Sequence, residues 1–325
     1  MKKLFIPVVT LLALGSITGC KGKVDYSDLQ IVCPSGAPAL ALYDIFDESN
    51  VDINSDPNVV AQYIAPNSIK DVVIAPTNLL VGASMKAGAP FKIAATITFG
   101  NFYIAATGND DNETMDKDDY IVLFQQPGLP GKLFNYTYGT DYTNLHNVAS
   151  AQLAAACLKD GINVSDNSNV VDYVLVAEPS MTPAIAAAKQ NRPDVADKIK
   201  QVKDVQEDYK EKSGNHSFTQ ASIFVKETDD EAKKEKINAF LNDVNEKITL
   251  LRMDQGNLLL KLSDLTSAEI QSKFGAPNLT ILKNAVNTNS INLGYQNAKE
   301  NKEGIDSFLK NLGFSSEDTS EDLYW

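Results

Sequence analysis

The chain has 325 residues, with 29 Lys or Arg against 42 Asp or Glu, a formal net charge of −13, and only two histidines and three cysteines. A surface that acidic repels nucleic acid and anionic headgroups, so no nucleic-acid partner is expected. The poverty of His and Cys speaks against a metalloenzyme or a histidine-activated hydrolase, which need several ligands at fixed spacing or a nucleophile beside a base.

At the start of the chain, Lys2 and Lys3 precede an apolar stretch from Leu4 to Leu14, and Ile17-Thr18-Gly19 leads into Cys20. The order reads as a secretory leader over residues 1–19 ending in a lipoprotein cleavage box, with Cys20 accepting lipid such as palmitate. The apolar stretch is shorter than the roughly 20 residues of a spanning helix, so a retained anchor is the weaker alternative. The expected location is the extracytoplasmic face of a bacterial cell membrane, with the lipid on Cys20 as the attachment. The chain beyond the leader is long enough for two domains.

After a polar tether over 20–28, short β-rich runs alternate with helical ones. Leu29 to Cys33 reads as a strand, Pro34-Ser35-Gly36-Ala37 as a turn, and Pro38 to Glu48 as a helix with proline in its first turn. Val59 to Ile64 and Asp71 to Ala75 read as strands, followed by a helix from Thr77 to Lys86 capped by Gly88. Two further strand-like runs, Phe91 to Thr98 and Phe102 to Thr107, flank Gly100. The stretch Asn109 to Asp119 holds six carboxylates but lacks the glycine and terminal glutamate of a calcium-binding hand, and reads as a solvated loop. No metal site or cofactor is expected.

A second α/β pattern begins with the strand Tyr120 to Phe124 and the turn Gln126-Pro127-Gly128-Leu129-Pro130-Gly131, which leads into a helix. It continues through a helix from Ser150 to Leu158, a strand from Val170 to Val176 and a helix from Pro179 to Lys189. Ser217 to Val225 reads as a strand returning to the first lobe. Between Asp230 and Met253, the residues Ile237, Phe240, Leu241, Val244, Ile248 and Leu251 fall on one helical face, a core stripe. Helices over Thr266 to Phe274, Leu279 to Val286 and Lys299 to Leu312 come next, and the acidic tail from Ser315 is expected to be loose. Cys33 and Cys157 read as buried thiols and not as a disulfide pair.

Strand, turn and helix in repeated order predict an α/β chain of two lobes, each a mostly parallel sheet flanked by helices. In such sheets the carboxyl ends of the strands bind ligands, because helix N-termini offer free backbone N–H groups there. The turns at those ends supply Ser35, Gly36, Ala37 and Pro38; Thr77 and Asn78; Thr98, Phe99, Gly100 and Asn101; Gln126, Pro127 and Gly128; and Glu178, Ser180 and Thr182. Any one of them could serve only as a turn or a cap. The five together mark a candidate ligand site with no catalytic residue. His146 and His216 lie in polar segments far from any glycine-framed serine.

The segments Pro34-Ser35-Gly36-Ala37-Pro38, Asp71-Val72-Val73-Ile74-Ala75-Pro76-Thr77-Asn78, Gly88-Ala89-Pro90-Phe91-Lys92 and Val174-Leu175-Val176-Ala177-Glu178-Pro179 stand in an order that resembles the solute-binding proteins of ABC importers. The likeness is to the nitrate, sulfonate and thiamin-pyrimidine group, and runs over nearly the whole chain after the leader. It implies a two-lobed, type II periplasmic-binding fold that closes on a solute, with crossings near Tyr103 to Gly108 and Asn215 to Phe218. Lobe 1 is then 29–104 with 217–314, and lobe 2 is 105–216. It also implies a monomer that delivers a small molecule to an ABC permease and performs no covalent chemistry.

The five turns depart from anion-binding relatives in carrying no Lys or Arg, although Lys132 is close. Glu178 and the aromatics Phe99, Phe102, Tyr103 and Phe124 fit a neutral or cationic heteroaromatic solute better. The competing readings are a sensory or adhesive lipoprotein, and an enzyme on the same fold.

Overall fold

The apolar runs become the central strands of two mixed sheets in the computed structural model, which describes residues 24–325 apart from 80, 83–89, 111–113, 127, 167–168 and 255. The leader, Cys20, the Gly88 cap, Pro127 and the far end of the helix expected over 77–86 lie outside the described residues. The strands are β1 (Ile31–Pro34), β2 (Val51–Asn54), β3 (Val72–Pro76), β4 (Phe91–Thr98), β5 (Phe102–Ala106) and β6 (Ile121–Phe124). They continue with β7 (Leu145–Val148), β8 (Tyr173–Ala177), β9 (Lys200–Asp204), β10 (Ala221–Lys226) and β11 (Leu293–Asn297).

The first sheet runs β11-β4-β10-β3-β1-β2 and the second β7-β6-β8-β5-β9. β1 is parallel to β2 and β3, and β6 is parallel to β7 and β8. β10 lies antiparallel between β3 and β4, and β5 antiparallel between β8 and β9. Both sheets thus place three parallel strands, then one reversed strand, then one that restores the first direction. In each sheet the reversed strand is the first to arrive after the chain has crossed from the other sheet.

Continuous apolar strands need cover on both faces, and side chains alternate accordingly. Val32 and Val73 join the core that runs into the second sheet, whereas Ile31, Cys33, Val72 and Ile74 face the other way. That opposite face is covered by the helix Glu231–Met253, whose buried residues are the six of the expected stripe. Cys33 and Cys157 are buried free thiols in separate cores.

The chain leaves β4 at Thr98 and enters β5 at Phe102, so the first crossing is Phe99-Gly100-Asn101. This corrects the crossing expected near Tyr103 to Gly108. Tyr103 pairs with Val176 and Asp204, and Ile104 with Leu175 and Lys203, so both belong to the second sheet and not to lobe 1. Gly100 has φ +94°, and a Cβ on it would fall 2.3 Å from Cγ of Gln206 and 2.5 Å from Cδ1 of Phe218. Only glycine fits there. The return crossing spans residues 213–220, between the helix Val205–Lys212 and β10. Its Phe218 packs against Phe102, Tyr209 and Phe308, joining the two crossings in one apolar cluster.

Other expectations need correction. Val59 to Ile64 is not a strand; the segment begins with the short helix Pro57–Ala61, and the strand beside β1 is Val51–Asn54. The helix expected from Pro38 to Glu48 is a 3-10 helix over Ala37–Leu42 followed by turns. The acidic tail is docked: Thr319 donates to Asp306 through both N–H (2.8 Å) and hydroxyl (2.6 Å), Tyr324 bridges to Ile93, and the Trp325 N–H reaches the Ile93 carbonyl at 3.0 Å.

Candidate functional site

A cleft of about 570 Å³ opens between the two sheets, where the carboxyl ends of β1, β3, β6 and β8 face each other across the crossings. Ser35, Gly36, Ala37, Pro38 and Asn78 line one wall; Gly128, Glu178 and Ser180 line the other. Each of the five turns expected to meet thus brings at least one residue to this cleft, the third of them through Asn101.

The remaining candidates take other positions. Thr77 is buried, its hydroxyl 2.8 Å from that of Ser222, and it braces β3 against β10. Thr98 is buried with its hydroxyl unmet by the protein, and Phe99 turns to a separate groove beside Gly294 and Tyr295. Gly100 lies against Gln206 and Phe218. Gln126 points away, its N–H bonded to Oδ1 of Asn147 at 2.6 Å and its side chain beneath Gly131; Gln125, at φ +52°, lines the cleft in its place. Thr182 sits behind Glu178 and holds it. Pro127 lies outside the described residues.

Asn101, the last residue of the third turn, and three residues that local sequence reading does not single out complete the lining. Asn101 and Gln220 come from the two crossings, Gln152 from the helix Ala151–Asp160, and Phe314 from the segment after the helix Lys302–Asn311. Gln220, Gln152 and Phe314 arrive by long-range topology, with no local sign. Phe102 and Phe124 meet edge to face at 5.5 Å on the floor. With Phe314 and the prolines 34, 38, 76, 130 and 179 they make the cleft largely apolar.

Lys132 and Glu178 are the only charged groups among the described lining residues. Lys132 does reach the cleft, but its ammonium donates to the Leu312 carbonyl at 3.1 Å and lies 4.7 Å from the centre of the Phe314 ring. Glu178 is 3% exposed and precedes Pro179 through a cis peptide. Its carboxylate accepts the Thr182 hydroxyl and the Thr182 N–H (3.3 Å), as an internal cap on the helix Met181–Asn191. Burial pushes its pKa above the usual carboxylate value, against the lowering effect of the Thr182 bonds.

Asn101 fixes this loop. Its carbonyl accepts the Glu178 N–H at 2.9 Å, and its side-chain amide donates to the Glu178 carbonyl. Its Oδ1 accepts Nε2 of Gln220 at 3.1 Å, which couples the two crossings to the Glu178 turn. Among the described residues no group of three or more His, Cys, Asp or Glu side chains is placed to hold a metal ion. The geometry offers enclosure, aromatic and proline surface, and a few amide groups, the features of a small-molecule pocket.

Neither a family model nor a curated protein matches the sequence. Solved structures do match. An ABC transporter from Parabacteroides distasonis is 15% identical with a TM-score of 0.63, over 89% of this chain and 93% of its own. The periplasmic aliphatic sulphonate binding protein SsuA from Escherichia coli is 14% identical with a TM-score of 0.58, over 91% of each chain. A Candida albicans protein described as having the generic periplasmic binding protein structural fold is 11% identical with a TM-score of 0.51, over 91% of this chain and 93% of its own. The fold of this chain is therefore the periplasmic-binding-protein fold: two mixed sheets flanked by helices, joined by two crossings.

Proposed function

We propose that the protein is the extracytoplasmic solute-binding component of an ABC importer, which captures a small polar or heteroaromatic molecule and delivers it to a membrane permease. The observation that carries this reading is the cleft between the two sheets, lined from both sides by turns at strand carboxyl ends. It sits on a fold shared with binding proteins of importers. Among the described lining residues no nucleophile is hydrogen-bonded to a base, so capture without covalent change is the chemistry that fits. Among the described residues no helix is long and apolar enough to cross a membrane. Lipid on Cys20 would hold the monomer beside its permease; one acyl chain anchors only marginally, so two or more are needed.

A thermal-shift screen of the purified chain tests the reading. The panel is thiamin precursors, riboflavin, amino acids, nucleobases, alkanesulfonates and nitrate. A ligand that binds only the folded state raises the melting midpoint as its concentration exceeds Kd. A concentration-dependent rise with one class is the expected result. No rise with any class, from folded and ligand-free protein, would turn the assignment toward a sensory or adhesive role.

A further inference from the structure

Gln220 presents an acceptor whose orientation the surrounding bonds dictate. The Glu178 carbonyl can only accept, so Asn101 must turn its amide nitrogen toward it. That leaves Oδ1 of Asn101 facing Gln220, and Gln220 must answer with Nε2, at 3.1 Å. Oε1 of Gln220 is thereby fixed as an acceptor. It is buried and has no partner in the protein, while Gln220 itself lines the cleft. Across the same wall, Oδ1 of Asn78 is likewise buried and unmet.

Four backbone donors in the turns of the cleft are already taken. The N–H of Ser35 goes to the Asn54 carbonyl (2.9 Å), that of Gly36 to Lys273 (3.0 Å), that of Gly128 to Gln125 (2.6 Å) and that of Ser180 to Ala177 (3.0 Å). Pro38, Pro130 and Pro179 have no N–H to offer. The N-terminus of the helix Met181–Asn191 is filled by Glu178, an anion built into the protein. The Lys132 ammonium is turned to Leu312 and Phe314.

We propose that the cleft selects a solute bearing N–H or O–H donors and discriminates against sulfonate and other bare oxyanions, with Gln220 as the specificity-determining acceptor. This rests on the solute-capture reading and narrows its substrate class. An acceptor left unmet in a buried site has lost its hydration without a replacement bond. A donor that reaches Oε1 as the walls settle around the solute supplies that bond, whereas a sulfonate oxygen brought to the same place adds repulsion. The aromatic and proline surface supplies the rest of the binding.

The test measures binding by thermal shift and calorimetry to the same panel, with two matched pairs added: benzamide against N,N-dimethylbenzamide, and indole against N-methylindole. The expected result is that every binder carries an N–H or O–H donor. Gln220→Met should weaken that binder about tenfold, the equivalent of one hydrogen bond to a buried group. Preferential binding of alkanesulfonates, nitrate or the methylated compounds overturns the donor selectivity while leaving capture intact, and this comparison uses the unsubstituted protein. Undiminished binding by a folded Gln220→Met protein overturns the role of Gln220. No binding by any compound removes the capture reading itself.

Discussion

Asn101 grips Glu178 from both sides, accepting its N–H at 2.9 Å and donating to its carbonyl. One residue in a three-residue crossing thus sets the height of the turn opposite. Asn101→Ala removes the bond to the Glu178 carbonyl and leaves Nε2 of Gln220 without its acceptor. The expected cost is about 1–3 kcal/mol of stability, measured as a lower urea midpoint at unchanged slope.

Gly100 occupies a left-handed conformation with no room for a methyl group. Gly100→Ala combines backbone strain with overpacking against Gln206 and Phe218, and should cost roughly 3 kcal/mol. Gln206 also accepts the Phe102 N–H at 2.7 Å, so its displacement loosens the start of β5. Hydrogen exchange at Phe102 and Tyr103 should rise more than exchange in β6, which β8 separates from β5 in the sheet. Equal exchange in the two strands would show that the crossing absorbs the methyl group without strain.

Burial decides which parts of this architecture the sequence discloses. Ile121–Phe124 and Tyr173–Ala177 are covered on both faces and read as unbroken apolar runs. Lys200–Asp204 is an edge strand with two lysines and one apolar residue, the composition that protects an edge, and gives no strand signal. Pro57–Ala61 is open to misreading because Val59 and Val60 favour strands, yet Asp56 and Pro57 form a helix start. The turns of the cleft are legible because glycine and proline mark them. Gln220 and Phe314 are not, since their place depends on where a distant segment returns.

Glu178 gives a pH signature. Its folded pKa is raised by burial, so the folded protein holds a proton more readily there than the unfolded chain does. The stabilising contribution is fully present below the ordinary glutamate pKa and is lost as pH rises through the higher folded value. Glu178→Gln cannot titrate. The stability of the variant relative to the parent should therefore climb as pH rises above the ordinary glutamate pKa, read from urea midpoints at matched pH. A flat difference would mean that Thr182 compensates fully for the burial of the carboxylate.

The docked tail contributes to stability through Thr319, which is 3% exposed and bonded to both Asp306 and the Tyr324 hydroxyl (2.6 Å). Thr319→Val preserves shape but deletes the hydroxyl. Asp306 keeps Lys302 at 2.6 Å and the Thr319 N–H, so the expected loss is moderate, about 1–2 kcal/mol. Protease sensitivity after Ser315 should increase in parallel. Unchanged sensitivity would place the hold on the tail at Trp325 and not at Thr319.

The position of β10 carries a consequence for synthesis on the ribosome. It fills the gap between β3 and β4, so the first sheet lacks its middle until Lys226 has been made. The second sheet is built from one continuous stretch and has all its strands once Asp204 has emerged. The earliest translated strands must therefore wait, with β3 and β4 unpaired along facing edges, while a later segment completes its own pairing. For that interval the nascent chain exposes the apolar edges most prone to mispairing, and it is the half nearest the amino terminus that needs shielding.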